Sequence, residues 1–274
     1  MTYIKNIIAG IVIGIANIIP GVSGGTMAVV LGIYDKLIDA ISLNIQKLKK
    51  NWKFILTLGI GMVLGISVLA KLLTWLFENY NVPTQFFFIG LILGSIPLVW
   101  RKTTETKKFQ KINIIPFLVT LGIMIVMAVM KQGENVIETE LSLKLCLILI
   151  LCAAIAAFAM IIPGISGAFL LKALGQYETI SAAASIGDFN FAILIPVAIG
   201  IVIGILVGAK LISTLLKKYH QGIYSAILGL IIGSVIEIYP SDFSFNIEGI
   251  IAIIVAVIGF AIPVFMEKIE VQKN

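Results

Sequence analysis

Apolar residues in this chain gather in long runs separated by short polar intervals, and runs of roughly 17 to 25 residues can each cross a bilayer core as a helix. Six continuous runs fall at about 54–77, 85–100, 112–130, 189–216, 222–239 and 247–266. Two more, over about 4–41 and 142–184, are interrupted by Pro and Gly. The pattern predicts an all-α polytopic membrane protein forming one membrane domain over residues 1–274. Composition agrees: 59% of the residues are hydrophobic and 12% charged, and a mean hydropathy of +1.10 excludes a water-soluble domain. The 20 Lys and Arg against 14 Asp and Glu would suit nucleic acid, but they lie in short loops, where basic residues set membrane orientation instead.

The two broken segments are copies of each other. Residues 14–42 placed over 157–185 give 12 identities in 29 positions without a gap. The shared core is Ile-Ile-Pro-Gly-x-Ser-Gly followed by Leu-Gly-x-Tyr-acid. Ile18, Ile19, Pro20, Gly21, Ser23 and Gly24 match Ile161, Ile162, Pro163, Gly164, Ser166 and Gly167, then Leu31, Gly32, Tyr34 and Asp35 match Leu174, Gly175, Tyr177 and Glu178. The offset then drops from 143 to 139: Gly61, Gly65 and Lys71 match Gly200, Gly204 and Lys210, and Gly90 and Gly94 match Gly229 and Gly233. The chain is read as a tandem duplication, with repeat one over 1–133 and repeat two over 134–274.

After Gly25 and after Gly167 only about nine apolar residues precede the next acid, and nine helical residues rise about 13 Å, under half the hydrocarbon thickness. Each broken segment is therefore expected to be a re-entrant hairpin. Loop charge gives the sidedness. The stretch 35–53 has five Lys and two acids and 101–111 has five basic residues and one acid, which places both on the cytoplasmic side. The stretches 78–84, 131–144, 178–188 and 240–248 are expected outside, and 217–221, with Lys217 and Lys218, inside. Each half then crosses three times, the second copy is inverted, and both termini are cytoplasmic. This is the inverted-repeat plan of secondary transporters.

Backbone without regular helix is tolerated at membrane depth only where protein or a polar cavity surrounds it, so the two loops mark the candidate site. Pro20 and Pro163 end the incoming helices, Gly21, Gly24, Gly25, Gly164 and Gly167 allow turning and close approach, and Ser23 and Ser166 are placed to cap the outgoing helices. Free N–H groups there suit an anion. Asn17 and Thr26 have Met160 and Phe169 as counterparts, so the first loop should offer more polar contacts. Lys172, five residues past Gly167, lies too deep for easy snorkelling and is a candidate phosphate contact. Lys71 and Lys210 are candidates for guiding an anion at the two access routes, with snorkelling to the headgroups as the structural reading. The glycines at 61, 65, 90 and 94 and their counterparts read as helix-packing positions.

Gly-x-Ser-Gly also occurs in intramembrane proteases, but a nucleophilic Ser needs an adjacent base. His220 is the sole histidine and lies in a basic loop, where it reads as a solvated surface residue, so no enzyme is expected. Cys146 and Cys152 have neither metal-ligand nor disulfide spacing, and no metal or other cofactor motif is present. A channel or exchanger for a small inorganic anion is the main alternative to a transporter of a larger anion.

The segments Asn17-Ile-Ile-Pro-Gly-Val-Ser-Gly-Gly-Thr26 with Gly32-Ile-Tyr-Asp35, and Met160-Ile-Ile-Pro-Gly-Ile-Ser-Gly167 with Leu174-Gly-x-Tyr177, resemble the paired signatures of the PopT-type polyprenyl-phosphate transporters of bacterial membranes. The resemblance covers essentially the whole chain. It implies a flippase in the bacterial cytoplasmic membrane that returns undecaprenyl phosphate or a similar carrier lipid from the outer to the cytoplasmic leaflet by alternating access, for reuse in cell-wall synthesis. A coupling cation, H+ or Na+, belongs to that expectation, and the sequence leaves an oligomer open. The chain departs from the family pattern, in which an Asp often precedes Ile-Ile-Pro-Gly, by carrying Asn17.

Overall fold

The computed structural model describes residues 2–17, 22–42, 45–129, 142–184 and 189–271. Among them the chain forms α1 (Thr2–Ala16), α2 (Gly24–Val30), α3 (Tyr34–Ile41), α4 (Ile45–Asn79), α5 (Asn81–Gly94), α6 (Ile96–Thr104), α7 (Ile114–Val129), α8 (Leu143–Ile161), α9 (Gly167–Ala173), α10 (Tyr177–Ala183), α11 (Phe191–Lys218), α12 (His220–Ile238) and α13 (Ile247–Val271). No strand occurs among the described residues. Among the described residues, seven stretches are long and apolar enough to cross a membrane. Six match the expected continuous spans: α4, α5 with α6, α7, α11, α12 and α13. The seventh is α8, the incoming limb of the second broken segment. This helix runs for 19 residues, about 28 Å, before Pro163 stops it, so the limb is long enough to cross rather than reach only the midplane. Its counterpart α1 has 15 residues.

The outgoing limbs also differ from expectation, and the Leu-Gly-x-Tyr-acid motif explains why. Gly32 has φ 68° and Gly175 φ 73°, a left-handed conformation that glycine adopts without steric cost. Gly32 N–H donates to Val29 C=O at 2.9 Å and Ile33 N–H to Ala28 C=O at 3.0 Å. Gly175 and Gln176 repeat both bonds onto Lys172 and Leu171, at 3.0 and 2.9 Å. This paired pattern ends a helix at glycine. The helix then restarts at Tyr34 or Tyr177 with Asp35 or Glu178 in its first turn, where a carboxylate complements the positive helix end. The stretch 35–53, expected as a loop, is thus largely α3 and the start of α4, and 178–188 begins within α10. Residues 105–110 do form a loop. Gln221 pins it, accepting from Gln110 N–H at 2.9 Å and donating to the Thr103 and Lys107 carbonyls, each at 3.1 Å.

Packing repeats register for register. A Cβ on Gly61 or Gly65 would strike the Ile7 or Ile11 carbonyl oxygen of α1, and one on Gly200 or Gly204 would strike that of Ile150 or Ala154 in α8. The contacted residues are themselves 143 apart. The contacts ascend together along both helices, so α1 runs parallel to α4, and α8 to α11. Gly90 meets Ala256 across α5 and α13, and Gly229 meets Phe117 across α12 and α7. Here the partners are 139 apart and each pair joins the two halves. Close approach through small residues is how membrane helices gain packing when lipid offers no hydrophobic driving force.

Between α1 and α4, and between α8 and α11, the chain doubles back. Ala183, near the end of α10, is buried with Leu145 at the start of α8 and Ile193 at the start of α11. At the far end of α11, Ser213 donates to Asp39 of α3 at 3.5 Å. Twenty residues separate Ile193 from Ser213, about 30 Å of helix.

Candidate functional site

The two interrupted loops meet inside the helix bundle. Ser23 is the N-cap of α2: its Oγ accepts from Thr26 N–H at 3.3 Å and donates to the Ile162 carbonyl at 3.4 Å. Thr26 Oγ1 accepts from Gly164 N–H at 2.7 Å. Asn17 Oδ1 accepts from Gly24 N–H at 3.1 Å. Ser166 caps α9 by accepting from Phe169 N–H at 3.4 Å. The glycines permit this closeness. A Cβ on Gly25 would lie 2.7 Å from the Ile161 carbonyl oxygen, and one on Gly164, whose φ is +90°, would lie 2.7 Å from that of Leu230.

Both caps are therefore formed as the motif required, and Asn17 and Thr26 give the first loop the polar contacts that Met160 and Phe169 do not. Pro20 and Gly21 lie outside the described residues. Ser23, Gly24, Gly25, Thr26, Pro163, Gly164 and Ser166 are buried together, and Asn17 and Gly167 are half-buried. The loops touch directly, and the hydroxyls of the first loop are engaged by the second. At the start of α9, no described residue accepts from the Gly167 or Ala168 N–H. Lys172 is half-buried, with Nζ 4.9 Å from the Tyr177 ring centroid. This cation–π contact leaves its charge without a carboxylate partner among the described residues. Lys71 and Lys210 are exposed on α4 and α11 and are not brought to the loops.

A second polar cluster, not singled out from the sequence, surrounds α3. Tyr224 Oη of α12 donates to Asp35 Oδ1 at 2.5 Å, and Lys102 of α6 lies 3.7 Å from Asp35 Oδ2. Asp39 pairs with Lys47 of α4 and, at 3.7 Å, with Lys217 of α11. The Lys47 hydrogen bond, with the charges of Lys47 and Lys217, holds the Asp39 carboxyl below its ordinary range against the opposing effect of burial. Asp35, Asp39, Lys47, Ser213, Lys217 and His220 line a cavity of about 450 Å³. His220 is not a solvated loop residue: it opens α12, its Nε2 lies 3.0 Å from the Lys102 carbonyl, and its ring sits 4.8 Å from that of Tyr224. The signal in the sequence was the acid that ends Leu-Gly-x-Tyr-acid, which the repeat carries but the loop chemistry did not use. Among the described residues, no three His, Cys, Asp or Glu gather to hold a metal.

Comparison with known proteins gives this geometry its setting. The chain is 34% identical over 209 residues to a polyprenyl-phosphate transporter of Vibrio cholerae serotype O1, a match covering 71% of this chain and 64% of that protein. It is 30% identical over 202 residues to a polyprenyl-phosphate transporter of Staphylococcus aureus, covering 71% of each. The match thus spans just under two thirds of the Vibrio protein's own length. No solved structure matches the chain. Residues 13–250 match the undecaprenyl phosphate translocase-like family, and the chain, with its paired loops inside a polytopic helical bundle, belongs to that family.

Proposed function

We propose that this protein carries a polyprenyl phosphate, of the undecaprenyl phosphate class, from the outer to the cytoplasmic leaflet by alternating access, as part of carrier-lipid recycling. The observation that carries the proposal is the bonding of Ser23 and Thr26 in the first motif to Ile162 and Gly164 in the second, in a member of this family. In this reading the segments 4–41 and 142–184 are re-entrant hairpins of opposite direction. Three features support it: α1 parallel to α4, α8 parallel to α11, and hairpin bases at opposite ends of α11. The side bearing α3 is cytoplasmic, because Lys47, Arg101, Lys102, Lys217 and the ends of α6 and α11 gather there.

The phosphate is received at the second loop, where the Gly167 and Ala168 amides are unclaimed and Lys172 supplies charge. It crosses as the loops part and the Ser23, Thr26 and Gly164 groups exchange their mutual bonds for the headgroup. Lys71 and Lys210 guide entry and exit. The tail remains in lipid. An open groove of about 300 Å³ between α5 and α13, walled by Phe86, Leu93, Val257 and Phe260 without polar lining, is of the kind such a tail would follow.

The test is translocation of a short-chain fluorescent polyprenyl phosphate by the purified protein in liposomes. Wild type is expected to move it, Lys172→Ala to lose at least about tenfold in rate, the effect of one charge-assisted contact, and Lys172→Arg to retain most. A protein that moves no lipid phosphate but passes chloride or inorganic phosphate would overturn the proposal in favour of a small-anion pathway.

A further inference from the structure

Asp35 and Glu178 occupy the same position in the two repeats, 143 residues apart, and Tyr224 and Gln85 are equivalent at the spacing of 139. One of these pairs is made and the other is not. On one face the Tyr224 hydroxyl donates to Asp35 at 2.5 Å, and ion pairs and hydrogen bonds tie α3 to α4, α6, α11 and α12. On the other, Glu178 is exposed and ion-pairs with no described residue, while Gln85 buries Oε1 without a hydrogen-bond partner. The short helices show the same imbalance. All seven residues of α2 are buried, and none of α9 is.

A carboxamide and a carboxylate at the positions equivalent to Tyr224 and Asp35 supply the donor and the acceptor that a second arrangement needs. Duplicated halves supply that arrangement, because the same contact can form with the roles of the halves exchanged. We propose that Asp35–Tyr224 and Glu178–Gln85 are the two forms of one reciprocal latch, made alternately, and that the structure is the state latched at α3 and open at α10. In the other state α10 closes on α5, the Gln85 carboxamide donates to the Glu178 carboxylate, and α3 is released from α12. Packed interfaces suit such switching because they hold discrete arrangements rather than deforming continuously. The latch rests on the alternating-access reading and names the residues that gate it.

The test uses the full-length protein in liposomes with Cys146 and Cys152 replaced by Ala. Two variants, D35C/Y224C and Q85C/E178C, are treated with a short bifunctional thiol crosslinker, and hydrogen exchange is followed over α2 and α9. Both pairs are expected to crosslink. The first lock should leave α9 exchanging as before. The second should slow α9 exchange at least severalfold and speed that of α2. Failure of the 85–178 pair to crosslink, or formation of both links in one molecule of a four-cysteine variant, would overturn the latch. Tyr224→Phe removes only the hydroxyl and should shift the balance toward the α10-closed state by about tenfold, the effect of one hydrogen bond to a charged group. Unchanged exchange in that variant counts equally against the proposal. None of these readouts depends on substrate. An intact latch in a protein that translocates no polyprenyl phosphate would sink the substrate reading alone, whereas translocation by both locked forms would sink the latch alone.

Discussion

The two broken segments share a Ser cap, a glycine-ended helix and an acid at the restart, yet α2 is wholly buried while α9 has no buried residue. The residues they share fix local geometry: where a helix begins, turns and begins again. The residues they do not share fix how firmly each segment is held. Thr26 bonds the opposite loop where Phe169 cannot, Asn17 holds the Gly24 amide where Met160 cannot, and Asp39 anchors two lysines where Ala182 cannot. A duplicated motif can therefore be locked in one copy and loose in the other without any change in its own fold.

The largest expected effect comes from the packing the copies hold in common. Gly61→Val and Gly200→Val each force a side chain against a neighbouring backbone carbonyl, and each should destabilise by about 3 kcal/mol. Unfolding midpoints in detergent check this, and a large difference between the two would break the equivalence of the α1–α4 and α8–α11 pairs. Next comes the contact that the copies do not share. Thr26→Val strands the buried Gly164 N–H and should cost about 2 kcal/mol, whereas Phe169→Leu at the matching position should stay under about 1 kcal/mol. Equal costs in the same unfolding assay would contradict the asymmetry.

Cap removal separates the two segments less. Ser166→Ala should cost about 1 kcal/mol. Ser23→Ala should exceed it, because the bond to Ile162 is lost too, and local hydrogen exchange at the two helix starts reads the difference. The smallest effect is ionic. Asp39→Asn should weaken the α3 clamp by under about 1 kcal/mol, since the Asp39 side chain is 38% exposed. The Asp39 carboxyl is more acidic folded than unfolded, so its contribution is complete above its ordinary value of 3.8 and fades as pH falls below that. Exchange of α3 amides should quicken on acidification in wild type and change less in Asp39→Asn.

Much of the architecture was legible because hydropathy and self-similarity are local signals. Five of the six continuous runs correspond to single helices and the sixth to α5 with α6, the glycine pairs are helix contacts, and Ser23 and Ser166 are caps. The 19-residue length of α8 does not follow from the motif, which marks only where the incoming helix stops, at Pro163. The helices α3 and α10 were read as loops because their charged first turns resemble solvated loops unless the preceding glycine is recognised as a turn that restarts a helix. The α3 cluster stayed hidden because its members come from five helices far apart in sequence, and no spacing joins Asp35 to Tyr224 or Asp39 to Lys217. The direct bonding of the loops was equally invisible, since Thr26 and Gly164 are 138 residues apart and no local pattern joins them.

The central claim is that the two matching hairpins face opposite leaflets. Single cysteines at Lys49, beyond the base of the first hairpin, and at Ala182, at the base of the second, both exposed, in protein lacking Cys146 and Cys152, can be challenged from one side of oriented membranes with an impermeant thiol reagent. The account predicts that each is labelled from a different side, Lys49→Cys from the cytoplasm and Ala182→Cys from outside. Labelling of both from the same side would contradict it.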